Sequence, residues 1–232
     1  MNGMIGANPA TPLEGTLYRN VNGTWTAYYT PYIYPHPIRT SYCDIVQTMY
    51  IGYYQRPADP QGMIYWAERL DPSGKNLKEV IEAFADSPEA QMLYGKISLV
   101  NILKVINGIY NTFFGRDADL SERYYYINGF IWGRFTQSTI VLDILRGAQD
   151  KDLQSLTNKV AAANLFTRMV DPELDGLNFQ VTYEGEGDAA ISRKFLDSVT
   201  WNYSTVPNPY QTKQFMINNI ADPDDPILNA SQ

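Results

Sequence analysis

The sequence predicts a mainly α-helical protein: tandem helix–turn–helix repeats packed as a bundle, preceded by a β-prone, extended N-terminal arm. Three observations predict it. A 22-residue stretch recurs 60 positions later, cap residues stand where helices must begin, and the first 40 residues hold β-prone runs and prolines. Shifting the chain by 60 sets Tyr50, Arg56, Ala58, Asp59 and Tyr65 on Tyr110, Arg116, Ala118, Asp119 and Tyr125. Tyr53 and Tyr54 fall on Phe113 and Phe114, Trp66 on Tyr126, Val80 on Ile140 and Phe84 on Ile144. Five identities clustered at one turn indicate a duplicated helical unit.

The arm comes first. Thr16-Leu17-Tyr18-Arg19 and Thr24-Trp25-Thr26-Ala27-Tyr28-Tyr29 are β-prone runs flanking Asn22-Gly23, a strong hairpin signal. Pro31, Pro35 and Pro37 then punctuate Tyr32, Ile33 and Tyr34, so this part is extended and cannot pair as a central strand. Tyr18, Trp25, Tyr28, Tyr29, Tyr32 and Tyr34 are too much apolar surface to leave in water. They rest either on the chain's own helices or on a neighbouring subunit.

Helices are expected at 43–55, 60–70, 76–86, 88–95, 97–114, 120–132, 136–147 and 151–170. Met49, Tyr50, Tyr53 and Tyr54 give the first a bulky face, and Arg56 ends it where a cation suits the helix dipole. Asp59 reads as the next N-cap, with Pro60 at the first helical position. In the second copy Asp119 caps, and Glu122 three residues on completes a capping-box pattern. Arg56 and Arg116 are expected to brace the turns by reaching back to the caps or to nearby carbonyls. Asn76 and Ser87-Pro88 mark two further helix starts. In the helix at 97–114, Leu99, Leu103, Ile106, Tyr110 and Phe113 form one expected core stripe. After Asp171-Pro172, residues 178–183 read as a short strand between acidic loops, and two last helices are expected at 188–201 and 209–221. The tail, Asp222-Pro223-Asp224-Asp225-Pro226, carries too much charge and proline to fold on itself. The chain thus divides into an arm (1–40), a repeat domain (41–170), a C-terminal helical segment (171–221) and a tail (222–232).

The pattern Tyr50-x5-Arg56-x-Ala58-Asp59-Pro60-x-Gly62-x2-Tyr65-Trp66, followed by Phe84-x2-Ser87-Pro88-Glu89, resembles the bacterial domain of unknown function 4214 family. That family is distantly similar to the linker domain of phycobilisomes. The second copy, Phe114-Gly115-Arg116-Asp117-Ala118-Asp119, keeps the turn but has Ser121-Glu122 in place of Gln61-Gly62. The run from Asn158 to Thr167 is similar to a helix that often follows such repeats. The resemblance covers about residues 44–170, and more weakly to 199. It implies a secreted, surface-layer or adhesin-like setting and brings no enzymatic activity with it.

Composition narrows the function classes. A net charge of −7 and a pI near 4.7 argue against a nucleic-acid partner, which needs clustered Lys and Arg. No apolar run reaches the roughly 18–20 residues of a transmembrane helix. No basic start leads into an apolar segment, so an N-terminal export signal is not recognisable. With one cysteine, Cys43, the chain has no internal disulfide framework. His36, the single histidine, lies between two prolines with no catalytic neighbour in sequence, and no phosphate loop, nucleophile elbow or His-x-x-x-His pattern occurs. Catalytic and cofactor-binding residues are therefore expected to be none. Calcium is the one ion worth naming, since Asp171-Glu173-Asp175, Glu184-Glu186-Asp188 and Asp222-Asp224-Asp225 gather hard oxygen ligands. Their spacing fits no helix–loop–helix calcium site, and solvated acidic loops are the better reading. Aromatic residues at 13% of the chain, 18 of them tyrosine, suit buried surfaces that keep a polar edge, as subunit interfaces do.

The leading expectation is a structural, self-assembling protein of a bacterial surface, an S-layer or filament subunit that forms homo-oligomers or polymers. A surface-glycan anchor is the alternative. An intracellular linker of the phycobilisome type comes third, because it would need a basic surface that this acidic chain lacks. The expected location is extracellular or at the cell surface, with the cytoplasm left open.

Overall fold

The computed structural model describes residues 16–21, 24–29, 40–70, 76–170, 183 and 185–220, with side chains from residue 42 onward. Two strands, β1 (Thr16–Val21) and β2 (Thr24–Tyr29), pair antiparallel from Thr16↔Tyr29 to Val21↔Thr24. That register leaves two residues to connect them, the length an Asn-Gly hairpin requires. The turn itself, together with His36, Tyr32 and Tyr34, lies outside the described residues.

Among the described residues everything else that is regular is helical. The first unit holds α1 (Thr40–Met49), a π-helical turn (Tyr50–Tyr54), α2 (Pro60–Arg69), α3 (Leu77–Ala85) and α4 (Pro88–Tyr94). The second holds α5 (Ile102–Phe114), α6 (Leu120–Ile131), α7 (Ile140–Arg146) and the start of α8 (Asp150–Met169). Then come α9 (Gly185–Asp197), a short 3-10 turn (Tyr203–Thr205) and α10 (Pro209–Asn219). Each helix of the first unit thus has its counterpart about 60 residues on. No helix among the described residues is long and apolar enough to cross a membrane.

The expected caps form. Asp59 accepts from the Gly62 N–H at 2.6 Å and Ser87 from the Ala90 N–H at 3.2 Å, each with proline at the first helical position. Asp119 and Glu122 close the capping box, at 2.8 Å and 2.7 Å. Where boundaries shift, local side-chain bonds explain it. The helix expected from 97 starts at Ile102, because the Asn101 side chain turns back to accept from the Ser98 N–H at 2.8 Å. The helix expected from 136 starts at Ile140, because Thr136 and Thr139 each accept from the other's backbone N–H.

One correction concerns the stripe on α5. Leu99 and Leu103 are not core: they are 60% and 45% exposed. Leu99 precedes the helix, inside the Ser98–Asn101 turn, and Leu103 lies at the margin of the buried face. That face is Ile102, Val105, Ile106, Ile109, Tyr110, Phe113 and Phe114. The second departure is the π turn, where an α-helix was expected throughout 43–55. All five of its residues are buried. The Gly52 carbonyl, with Pro57 five residues on and hence no N–H to accept from there, instead accepts from the Tyr94 hydroxyl at 2.6 Å. Gly52 also packs close to α7: an added Cβ would meet Leu145 at 3.2 Å.

One core cluster runs from Cys43 to Ile220 and includes Phe195, Leu196 and Met216, so α9 and α10 pack into the same core as the repeats. Its axis is α8, which touches α1, α5, α9 and α10. Polar residues on this helix moor other segments by their backbone or side chains. Ser155 donates to the Phe113 carbonyl at 2.6 Å and Asn158 to the Thr200 carbonyl at 2.8 Å. Lys159 donates to the Leu196 carbonyl at the end of α9, Asn164 to Asp44 and Thr167 to the Ala58 carbonyl. The run from Asn158 to Thr167 is therefore a set of buried moorings, each satisfying a group that would be costly to leave unpaired.

Candidate functional site

The two repeated turns each gather an arginine, its acids and a tyrosine ring in one bonded cluster. Each is entered through a left-handed residue, Gln55 (φ 58°) in the first and Gly115 (φ 69°) in the second. Glycine adopts this backbone freely, whereas glutamine is strained there. After it, Arg56 lies 5.2 Å from the Tyr50 ring centroid, and Arg116 lies 4.9 Å from that of Tyr110. Each guanidinium donates to the carbonyl of the residue that follows it, at 3.2 Å to Pro57 and 3.1 Å to Asp117. Ala58 and Ala118 are both buried. The repeat extends to the amides Gln47 and Asn107, 60 positions apart, each of which buries a polar atom with no partner among the described residues.

Both arginines also reach an acid in the first turn of the fourth helix of their unit. Arg56 forms a two-bond fork with Glu89, at 2.8 and 3.0 Å. Arg116 does so with Asp152, at 3.2 and 2.5 Å. The turn arginine thus ties helix one of each unit to helix four, a bidentate geometry that lysine cannot reproduce.

The surroundings then diverge. In the first unit Gly62 leaves room for the Tyr50 hydroxyl; a Cβ there would come within 2.0 Å of it. The bridge is closed over from α9. Arg193 donates to Glu89 at 2.6 Å and to the Tyr54 carbonyl at 3.0 Å, and its other arm pairs with Glu186 at 2.8 Å. The Tyr183 hydroxyl accepts from Arg56 at 3.3 Å, shares a bond with Ser192 at 2.8 Å and donates to the Pro57 carbonyl at 3.2 Å. Only 14% of the Arg56 side chain is exposed. Burial alone would lower its pKa, but the bonds to Glu89 and Tyr183 outweigh that and hold it firmly charged.

In the second unit Glu122 stands where Gly62 does and forks onto Arg116 at 2.8 and 2.7 Å. Arg116 holds the Glu122 carboxyl below its usual range, and the Glu122 N–H does the same for Asp119. Among the described residues no helix closes this bridge over: 39% of the Arg116 side chain is exposed. It faces an open cleft of about 860 Å3 between the start of α6 and the start of α8. Tyr110 and Tyr126 line the cleft, and burial pushes the Tyr126 pKa up to about 12.

Arg56, Asp59, Arg116 and Asp119 stand in the turns as braces: each arginine donates to the carbonyl that follows it, Arg116 also forks onto Glu122 of the capping box, and both in addition reach acids 33 and 36 residues away. Tyr18, Trp25, Tyr28 and Tyr29 lie on the two strands, their side chains outside the described residues; Tyr32 and Tyr34 lie wholly outside them. Of the acidic loops only Glu186 and Asp188 are described, within α9. Among the described residues no group of three His, Cys, Asp or Glu is placed to hold a metal ion. Cys43 is buried, and burial pushes its pKa up to about 11, which leaves the thiol protonated and unreactive at neutral pH.

Sequence reasoning missed Tyr183, Arg193, Asp152 and the partnership of Glu89. Glu89 sat in the Ser-Pro-Glu signature; the others carried no local signal.

No curated protein and no solved structure matches the chain. One family does, over α1 to α4, the whole of the first unit. Residues 39–94 match the model of that family: Domain of unknown function (DUF4214).

Proposed function

We propose that this chain is a structural subunit that assembles with copies of itself, as an S-layer or extracellular filament protein of a bacterial surface, through protein–protein contacts rather than catalysis. One observation carries the reading: the outward face of α6 is apolar. Leu120, Tyr124 and Ile131, which follow each other at helical spacing, are 69%, 65% and 53% exposed, and Trp132 just beyond is 77% exposed. Around the start of α5, Leu99, Val100 and Leu103 are exposed as well. Scattered surface leucines need no explanation, whereas a row of large apolar residues along one helix marks a contact surface. The β1–β2 hairpin supports the same reading, because a two-stranded ribbon can accept a further strand on either edge. The aromatic arm residues, Tyr18 to Tyr34, would be buried in that contact.

A surface-glycan anchor is the second reading. It is favoured by the open cleft at Arg116, where a half-exposed tyrosine faces fixed polar groups.

Electron microscopy of the purified full chain, with and without calcium, tests the first. Ordered layers or filaments are expected, and a chain lacking residues 1–40 should remain helical by circular dichroism yet form none. Dispersed particles under every condition, or unchanged polymers after the deletion, would count against it.

A further inference from the structure

The second unit keeps the arginine–acid bridge of the first but leaves it open, and the open side has the chemistry of a sugar site. We propose that the Arg116 cleft binds a neutral saccharide, a short stretch of a surface glycan. This rests on the glycan-anchor reading and is independent of assembly.

The cleft, at about 860 Å3, falls within the roughly 300–1,000 Å3 of small-ligand sites and has room for more than one sugar ring. Its platform is Tyr125, 52% exposed. The ring is held by Tyr126, edge-on at 5.1 Å, by Phe135 at 5.5 Å and by the Arg134 guanidinium at 5.7 Å. A fixed, half-bare tyrosine offers a sugar ring an apolar face to stack on. A second aromatic stands near the rim: Trp201, 47% exposed, has the Lys151 ammonium 4.4 Å from its ring centroid.

The polar side of the cleft is fixed in advance. Arg116 is clamped from two directions by Glu122 and Asp152, so neither the guanidinium nor the carboxylates must be ordered on binding. The carboxylates keep lone pairs free beyond the arginine, and Ser121 and Asp150 add further groups to the lining. Sugar hydroxyls donate and accept at once, which suits such a mixed array. Charge selects the ligand class. Among the lining residues Arg116 and Lys151 supply two positive charges against three negative ones from Glu122, Asp150 and Asp152, and with Arg134 beside Tyr125 the charges balance, so the site has no excess positive charge to hold a phosphate, sulfate or uronate group. An apolar ligand would strip water from these ions without replacing it.

The test uses the full chain on an array of neutral and uronic-acid oligosaccharides, followed by calorimetry with the best neutral one. Tyr125→Ala should weaken binding about tenfold or more, by the loss of an aromatic face. Tyr125→Phe should retain it, and so should Tyr65→Ala, which removes the corresponding exposed tyrosine of the first unit. An unchanged melting temperature for Tyr125→Ala, together with retention by Tyr125→Phe, separates loss of the face from loss of fold. Neutral binding that survives both Tyr125→Ala and Asp150→Asn would move the site elsewhere and overturn this proposal, while leaving the glycan reading intact. A preference for the uronic-acid oligosaccharides would overturn the ligand class. Binding to no member of the array would overturn both the site and the glycan reading.

Discussion

Arg56→Ala is expected to lower the free energy of unfolding by about 3–5 kcal/mol, against about 1 kcal/mol for Arg116→Ala. The two residues occupy the same place in the repeat and make the same kind of bridge, so the difference isolates burial. Removing Arg56 strips a 14%-exposed side chain from Glu89, from the Tyr183 hydroxyl and from the Tyr50 and Tyr54 rings. Glu89 keeps Arg193 but loses its fork, and a partly desolvated carboxylate is costly to leave short of partners. Removing Arg116 exposes Glu122 and Asp152 to a cleft that water already enters. Urea unfolding followed by helical circular dichroism reads both values. Equal losses would show that α9 adds nothing to the first bridge.

A rise in stability between pH 8 and 9 is the second large effect expected, and it comes from Lys159. Burial pushes the pKa of this lysine down from 10.5 to about 8, against the pull of Asp197. Below pH 8 both the folded and unfolded chains carry the proton, and folding must bury the charge. Between pH 8 and 10.5 the folded chain has released the proton and the unfolded chain has not, so stability rises at about 1 kcal/mol per pH unit. Cys43 acts in the opposite sense. Its thiol is pushed up from 9.0 to about 11, so from pH 9 the unfolded chain loses a proton first and stability falls at a similar slope. The buried tyrosines, their pKa values raised above 10.0, add to that fall at higher pH. The wild type should therefore climb from pH 8 to 9 and then level off. Lys159→Met should abolish the climb, and Cys43→Ala should extend it toward pH 10. A flat wild-type profile from 8 to 9 would mean that Lys159 is solvated in the folded protein.

The parts of this fold that were legible are those fixed by neighbours in sequence. Asp59-Pro60, Ser87-Pro88 and Asp119 with Glu122 announce helix starts because a cap and its N–H partner lie three residues apart. The duplication was legible because the turn needs the same arginine, alanine and aspartate each time. What was hidden depends on distant chain. Nothing near Arg56 in sequence points to Arg193, 137 positions on. The Asn158–Thr167 run showed its likeness to a known helix, but not that its lysine, asparagines and threonine moor other segments. Leu99 and Leu103 misled because an apolar stripe reads the same whether core or partner covers it. On α6, which side faces outward required α5 and α7 in place.

Sedimentation velocity across a range of concentrations, on the full chain and on a Tyr124→Glu, Trp132→Glu variant, tests most directly the claim that this protein works by assembling through its α6 face. Both positions are solvent-exposed, so the variant should melt like the wild type. The wild type is expected to sediment faster as concentration rises, while the variant stays at the 26.3 kDa monomer. A wild type that remains monomeric throughout, or a variant that associates as the wild type does, would contradict the account.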